Sequence, residues 1–263
     1  MPIRFREPRL ICSITDFRRR YRQLGSGDAI VGVLALRPGE EIKALDLAER
    51  GAVFFPPVLA QLLARSKVAQ AEVLGEYMVP GTFAAYSLAD LAGKLPEFQD
   101  LGPVVAKRDR AHLGLGVSLW PSLETLYSLA GLQGLTYPLV VQPFLDGARD
   151  LRVVALGEYV EAYERVNPHS FRKNLFQGGS SLPAALTPAQ QDFCRRVMTR
   201  GRFPYAILDL LLDSRDDRAY LSEISLKGGL TGACLSQAEF HRRVAALEED
   251  FIRQWETSSK TRP

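Results

Sequence analysis

Hydrophobic runs of strand length alternate with helical patterns in the N-terminal third of the chain. The continuous apolar run Ala29–Leu36 predicts a buried strand, because short runs bounded by turn residues are typical of strands. The elements predicted after it are a helix over Glu40–Arg50, a strand at Ala52–Phe55 and a helix over Val58–Leu74. This alternation indicates a small α/β unit, to which we assign residues 1–79.

Strand pairs predominate after Pro103, and helices separate them. The predicted strands are Val104–Lys107, Val117–Trp120, Leu139–Gln142 and the hairpins Leu151–Leu156 with Tyr159–Val166 and Tyr205–Leu212 with Ala219–Ile224. Helices are predicted to begin at Ser87 and to span Pro188–Arg200 and Ser236–Trp255. We therefore predict a second, α+β domain over residues 80–263, with a smaller subdomain at 80–145 and a core subdomain at 146–263.

The second hairpin brings two acidic residues opposite each other. If it turns about Asp216, Asp209 faces Glu223 with Cβ atoms roughly 5 Å apart, where like charges repel. Ser225 shares their face, because side chains alternate along a strand. Such a pair indicates either a cation between the carboxylates or an exposed acidic pair on a solvated face, and the pattern leaves both open.

The first hairpin collects two guanidinium groups around one carboxylate. A turn at residues 157–158 places Asp150 opposite Arg165 and Arg152 opposite Tyr163, so that the three charged side chains share one face. This arrangement indicates either an anion site, for which guanidinium groups are well suited, or a surface ion-pair ladder of little energetic value.

Composition excludes several classes of protein. The 263 residues are 46% hydrophobic and 24% charged, which argues against a disordered or fibrous chain. Lys and Arg (33) barely exceed Asp and Glu (30), and a net charge of +3 argues against an extended nucleic-acid surface. The three cysteines match no metal-ligand spacing and indicate a reducing compartment. Because no apolar leader or membrane-length run is present, we expect a soluble cytoplasmic protein without membrane contacts.

Several short motifs follow one another in an order that points to a family. They are Pro-Val-Val-Ala-Lys (103–107), a glycine loop (Gly114, Gly116), Val-Val-Gln-Pro-Phe-Leu (140–145), Asp-Leu-Arg (150–152), Phe-Arg-Lys-Asn-Leu (171–175), Gly178-Gly179, Leu-Asp (208–209) and Glu-Ile-Ser (223–225). From about Lys67 to Gly232 the chain thus resembles the ATP-grasp ligases, and most closely the RimK-type glutamate ligases. The resemblance implies an ATP-grasp fold of mixed α/β (α+β) class, in which two α+β subdomains enclose ATP, preceded here by the short N-terminal α/β unit.

The resemblance also implies where the nucleotide binds. Lys67 and Lys107 resemble the lysines that meet the phosphates, and the loop with Gly114 and Gly116 resembles the flap above them. The segment Gln142-Pro143-Phe144 resembles the hinge that holds adenine; since proline has no N–H to donate, the Phe144 N–H and the Gln142 carbonyl are the expected contacts. The other nucleotide-binding residues that the resemblance implies are Asp150, Arg172, Lys173 and Asn174.

The metal and phosphate-transfer residues follow from the same resemblance. Asp209 and Glu223 resemble the carboxylates that bind Mg²⁺, with Mn²⁺ as an alternative, and Arg152 and Arg165 resemble the arginines that face the transferred phosphate or the acid substrate. Ser225 stands where family members usually carry Asn, a better oxygen ligand, so we expect a second metal ion to be held weakly or not at all.

The function implied is ATP-dependent ligation of a carboxylate to an amine, or to a thiol, through an acyl phosphate. The expected partners are a small-molecule or peptide carboxylate and an amine acceptor, and a homodimer is left open. Ser225 and the short N-terminal unit keep a second hypothesis, a non-ligating nucleotide-binding module that acts as a sensor or partner subunit. A third hypothesis, nucleic-acid binding, rests only on the cluster Arg18-Arg19-Arg20-Tyr21-Arg22, which alternatively docks an acidic polypeptide or is solvated.

Overall fold

The chain begins with a small parallel sheet flanked by helices. The computed structural model describes residues 8–111, 116–171, 173 and 179–260. The sheet has the order β1-β2-β3, and its strands are β1 (Leu10–Ile11), β2 (Ala29–Val31) and β3 (Val53–Phe55). The first four helices are α1 (Ile14–Arg20), α2 (Glu41–Glu49), α3 (Val58–Leu63) and α4 (Lys67–Leu74). The first two helices and the sheet share one apolar core around Phe17, Ile30 and Leu47.

A four-stranded antiparallel sheet follows, in the order β4-β7-β5-β6. Its strands are β4 (Phe83–Ala85), β5 (Val104–Arg108), β6 (Val117–Trp120) and β7 (Leu139–Pro143), and its helices are α5 (Leu88–Phe98) and α6 (Leu123–Gln133). Leu91 and Leu126 of the helices pack with Val141 of the central strand in a separate core. Ser87 and Ser122 cap the two helices, since each hydroxyl accepts a backbone N–H of the first turn.

The third sheet is antiparallel and five-stranded, in the order β10-β9-β8-β11-β12. Its strands are β8 (Arg149–Leu156), β9 (Tyr159–Val166), β10 (Ser180–Ala184), β11 (Tyr205–Leu212) and β12 (Ala219–Ser225), and the helices are α7 (Pro188–Gly201) and α8 (Gln237–Lys260). Leu208 and Leu210 of β11 are fully buried in the largest core, which also contains Val197 of α7 and Leu63 and Leu74 of α3 and α4. The domain boundary after residue 79 stays a prediction, as does the subdomain boundary after residue 145.

Two predicted elements of the N-terminal unit differ from the structure. The predicted strand Ala29–Leu36 ends at Val31. The Gly32 N–H still donates to the Phe55 carbonyl of β3, but beyond it side chains bind the backbone: Gln61 accepts the Leu34 N–H, and Arg65 donates to the Leu34 carbonyl. The predicted helix Val58–Leu74 is two helices, since the Ser66 hydroxyl accepts the Ala69 N–H and caps a new helix.

Both hairpin registers place the charged residues as predicted. Asp150 pairs with Arg165, and Asp209 pairs with Glu223. In the second hairpin, the turn by itself would not bring Asp209 opposite Glu223. Next to the turn, Leu212 pairs with Ala219, one residue out of the predicted register, and a β-bulge after Asp209 restores it. The opposition of the two carboxylates therefore depends on the bulge.

Strand β12 lies at the edge of the five-stranded sheet, and α4 covers it through one side chain. Gln70 of α4 is buried; its amide nitrogen donates to the carbonyls of Leu63 and Ile224, and its amide oxygen accepts the Ile224 N–H at 3.0 Å. Gln70 thus satisfies backbone groups that an edge strand otherwise leaves unpaired. This contact fixes α4 beside the strand that carries Glu223.

No helix within the described ranges combines the length and apolar character that crossing a membrane requires.

Replacing Gln70 with methionine, of similar shape, is expected to lower the free energy of unfolding by about 2–4 kcal/mol, because the buried N–H and C=O of Ile224 lose their partner. Urea unfolding midpoints and slopes measure the change. The matched control is Gln191→Met, since Gln191 is exposed and its amide makes one 3.3 Å bond to Leu186. Equal stability of the two variants would contradict the role assigned to Gln70.

Candidate active site

One face of the five-stranded sheet carries a continuous row of polar side chains. Residues paired directly across neighbouring strands share a face. The registers give the row Tyr163, Arg152, Asp209 and Glu223, from β9 through β8 and β11 to β12. Asp150 and Arg165 form the adjacent row on the same face. The opposite face of β11, with Leu208 and Leu210, belongs to the core.

Asp209 is the centre of this row. Its carboxylate receives two parallel bonds from Arg152, of 2.7 Å to Oδ1 and 2.8 Å to Oδ2. Arg165 approaches the same Oδ2 at 3.2 Å. Burial alone would raise the pKa of Asp209, but the charges of Arg165 and Arg152 outweigh it and hold that pKa well below its ordinary value. The two arginines therefore stabilise the charged form of this half-buried carboxylate.

Each of the two arginines also has a partner besides Asp209. Arg152 also donates to the Gly229 carbonyl at 3.0 Å, and Arg165 donates to Asp150 Oδ1 at 2.7 Å. The side chain of Arg165 is only 7% exposed. Burial opposes the charge of Arg152, yet Asp209 raises the pKa of Arg152 above its ordinary value. Such paired, desolvated guanidinium groups present rigid N–H donors to a phosphate or carboxylate.

Glu223 is neutralised by a lysine from another part of the chain. Lys67, the first residue of α4, donates to Glu223 Oε1 at 3.0 Å and to the Ala111 carbonyl at 2.8 Å. The Glu223 side chain remains 35% exposed, more than the other carboxylates of the row. Lys67 thus joins β12 to the base of the glycine loop.

Lys107 projects from β5 of the four-stranded sheet towards the same place. Its ammonium group donates to Gln142 Oε1 at 2.8 Å and to the Ser222 hydroxyl at 3.2 Å. These partners are neutral, so Lys107 differs from Lys67, Arg152 and Arg165, each of which contacts a carboxylate. Burial lowers the pKa of Lys107 to about 8. An incoming anion would supply the charge partner that Lys107 lacks among the described residues.

Asp209, Glu223 and Ser225 are the oxygen donors that the polar face offers to a magnesium ion. Within the described residues, no group of three or more His, Cys, Asp or Glu side chains could hold a metal. Mg²⁺ at a nucleotide site needs fewer, since it binds one or two carboxylates together with phosphate oxygens and water. Asp209 and Glu223 on paired strands meet that need, and Ser225 lies on the same face two residues further. The residues fit Mg²⁺ bound together with ATP.

The hinge segment departs from one expectation. The Phe144 N–H donates to the Pro103 carbonyl at 2.9 Å, so this group is occupied, which corrects the expectation that it is available for adenine. The Gln142 side chain is buried and holds Lys107. The ring of Phe144 lies edge-on to that of Phe171, with centroids 6.3 Å apart, after Pro143 has ended β7.

The glycine loop and the segment after β9 are described only in part. Gly114, Arg172 and Asn174 lie outside the described residues. At Gly116 an added Cβ would lie 2.3 Å from the Cβ of Ala111, so a side chain has no room at the base of the loop. Lys173 donates to the Ala148 carbonyl. The nucleotide-binding roles of these residues stay predictions.

Several residues of the site have no signal in the sequence pattern. Gln70, Ser222 and Tyr163 read as ordinary helix and strand positions, yet the first two position α4 and Lys107. Tyr163 is 1% exposed and lies directly opposite Arg152 on the neighbouring strand. Ser222 lies inside the predicted strand Ala219–Ile224, and its role follows only from the approach of Lys107 on β5.

The basic cluster at residues 18–22 is largely paired within the N-terminal unit. Arg18 forms a two-pronged contact with Glu40, and Arg19 and Arg20 both contact Asp16. Local ion pairs therefore account for most of this charge, which removes the main support for nucleic-acid binding.

Comparison with known proteins identifies the family. The model of the RimK-like ATP-grasp domain matches residues 59–239. A probable alpha-L-glutamate ligase from Citrobacter koseri is 27% identical over 217 residues, which are 80% of this chain and 69% of that protein. Ribosomal protein bS6–L-glutamate ligase from Escherichia coli K12 is 26% identical over the same shares. The crystal structure of D-alanyl-alanine synthetase A from Vibrio cholerae matches with a TM-score of 0.57 and 15% identity, over 84% of this chain and 76% of that one.

The predicted ATP-grasp fold and the predicted resemblance are both confirmed. The family model covers more than half of the chain, and it includes every described residue of the polar row and both lysines. The protein therefore belongs to the RimK-like ATP-grasp domain family, a family of ATP-dependent carboxylate–amine ligases.

Proposed function

We propose that this chain activates a carboxylate with Mg-ATP and joins the resulting acyl phosphate to an amine. The observation that carries the proposal is the meeting of four cations, Lys67, Lys107, Arg152 and Arg165, with the opposed pair Asp209 and Glu223. Transfer of a phosphoryl group needs positioning and charge neutralisation more than side-chain acid–base catalysis. The site supplies those two requirements.

Each cation has a distinct part in this proposal. Lys107 and Lys67 approach from β5 and α4 and bind phosphate oxygens, so that the nucleotide lies between the two antiparallel sheets. Arg152 and Arg165 hold the carboxylate substrate and stabilise the charge that develops on the transferred phosphoryl group. Because Asp209 fixes both arginines, they need no reorganisation when the substrate binds.

The metal site of the proposal consists of Asp209 and Glu223, with Ser225 as a weaker oxygen donor. Bound Mg²⁺ would neutralise phosphate charge and orient the γ-phosphoryl group for transfer. Without nucleotide, Lys67 contacts Glu223; when the nucleotide binds, Lys67 would contact the phosphates instead.

The proposed substrates are a small-molecule or peptide carboxylate and an amine acceptor. Relatives named as bS6–L-glutamate ligases join glutamate to a protein, which supports an amino acid or polypeptide on one side of the reaction. Identities of 26–27% leave the particular acid and amine of this chain to experiment.

Replacing Lys107 with methionine is expected to lower ATP-dependent turnover at least about a hundredfold, because a buried charge that meets the phosphates is lost. Release of ADP in the presence of Mg²⁺, pooled carboxylates and pooled amines measures the effect. The matched control is Lys94→Met, since Lys94 is a partly exposed lysine of α5 that pairs with Glu97. Wild-type turnover in Lys107→Met would overturn the site.

A second variant tests the weak third metal ligand. Ser225→Asn is expected to preserve or raise turnover and to lower the Mg²⁺ concentration that gives half-maximal ADP release, because an amide carbonyl is the better ligand. Ser128→Asn on the exposed face of α6 serves as the control. A collapse of activity in Ser225→Asn alone would show that the serine hydroxyl has a role of its own.

A further inference from the structure

A turn after β5 lies against the start of α4, and the carboxylate of Asp109 joins the two. Asp109 Oδ1 accepts hydrogen bonds from the Ser66 hydroxyl at 2.9 Å and from the Val68 N–H at 3.2 Å. The Asp109 side chain is only 14% exposed. Ser66 and Val68 stand directly before and after Lys67, the first residue of α4. Asp109 therefore binds the chain on both sides of the lysine that contacts Glu223.

These contacts complete the N-terminal cap of α4. The Ser66 hydroxyl accepts the Ala69 N–H at 3.0 Å, and Asp109 accepts the Val68 N–H, so both N–H groups find acceptors outside the helical hydrogen-bond pattern. A carboxylate at this end of a helix also interacts favourably with the helix dipole. Without Asp109, the Val68 N–H and the Ser66 hydroxyl lose this acceptor, and the first turn of α4 is free to fray. The position of Lys67 depends on that turn.

The turn after β5 has an uncommon backbone conformation. Arg110 has a φ of 54°, in the left-handed region that residues other than glycine rarely adopt. Its two neighbours, Asp109 and Ala111, both contact the start of α4, since the Ala111 carbonyl accepts a hydrogen bond from Lys67 at 2.8 Å. Arg110 itself forms an ion pair of 2.9 Å with Glu41 of α2. A backbone conformation of this kind persists where surrounding contacts hold it, and such residues cluster at functional sites.

The helix α4 is held at two points, one for each antiparallel sheet. Gln70 binds both backbone groups of Ile224 on β12, at the edge of the five-stranded sheet. Asp109 directly follows β5 of the four-stranded sheet and binds the first turn of the same helix. With both contacts in place, the position of Lys67 is fixed relative to each of the two sheets.

We propose that Asp109 is a positioning residue for nucleotide binding, which holds the first turn of α4 and thereby aims Lys67 at the phosphates. The inference rests on the proposed contact of Lys67 with the phosphates, and it adds a residue that acts through that lysine. A cation that is already in place binds an anion more tightly than a mobile one, because less conformational entropy is lost on binding.

Isothermal titration of the full chain with a non-hydrolysable ATP analogue and Mg²⁺ tests the proposal. Asp109→Ala is expected to weaken binding at least about fivefold, because the start of α4 is no longer held. In a Lys67→Met background the same change is expected to alter the affinity less than about twofold, since the residue through which Asp109 acts is gone. The affinity refers to the binding-competent fraction, so incomplete folding of a variant lowers the stoichiometry and leaves this comparison readable.

Two further variants complete the experiment. Ser66→Ala removes one of the two donors of this contact and is expected to weaken binding in the same direction, again only when the lysine is present. The matched control is Asp90→Ala, because Asp90 accepts the Ser87 hydroxyl at 3.1 Å and the Tyr86 N–H at 2.8 Å at the start of α5. This control should bind the analogue as the wild type does.

The outcomes separate this proposal from the ligase proposal. Wild-type affinity in Asp109→Ala, an equal loss in the presence and absence of Lys67, or the same loss in Asp90→Ala would overturn the positioning role and leave the ligase proposal intact. If the wild-type protein itself does not bind the analogue, both proposals are wrong.

Discussion

The contact between Asp209 and its two arginines is the constraint on which the active site depends. A carboxylate inside a sheet is costly unless charges and hydrogen bonds compensate it. Arg152 and Arg165 provide that compensation, and Asp150 in turn holds Arg165. The result is a set of desolvated guanidinium groups already in place before any substrate arrives. Removing Asp209 would leave Arg152 without its carboxylate partner and Arg165 with Asp150 alone, so the same contact supports the fold and the proposed site.

Two sheets and one helix must meet for the site to be complete. The five-stranded sheet supplies the polar row, the four-stranded sheet supplies Lys107, and α4 supplies Lys67. Neutral groups position both lysines, although Lys67 also contacts Glu223: Gln142 and Ser222 hold Lys107, and Gln70 fixes the helix of Lys67 against β12. Lys107 has no carboxylate partner among the described residues, so its charge is available to an anion. The other cations are paired with carboxylates, and they would orient that anion.

The sequence was informative about pairing within a hairpin and uninformative about contacts between distant segments. Asp150 with Arg165 and Asp209 with Glu223 follow from alternation and turn position, since both partners lie close along the chain. The bulge after Asp209 has no signal, because bulge formation depends on packing of the neighbouring strands. The contact of Lys67 with Glu223 is likewise invisible, as it joins residues in separate elements. Ser66 is a residue type that often caps helices, but the apolar pattern on both sides of it predicted one continuous helix.

We propose that Asp209 and Glu223, which the chain's own cations neutralise, form the metal site for Mg-ATP. Affinity for a non-hydrolysable ATP analogue, measured with and without Mg²⁺, tests it most directly. Wild-type protein should bind the analogue at least about tenfold more tightly with Mg²⁺, and Glu223→Gln should lose most of that gain. Glu164→Gln, which removes an acidic residue paired with Arg149 away from the row, should keep it. An equal gain from Mg²⁺ in wild type and Glu223→Gln, or no gain in the wild type, would contradict the account.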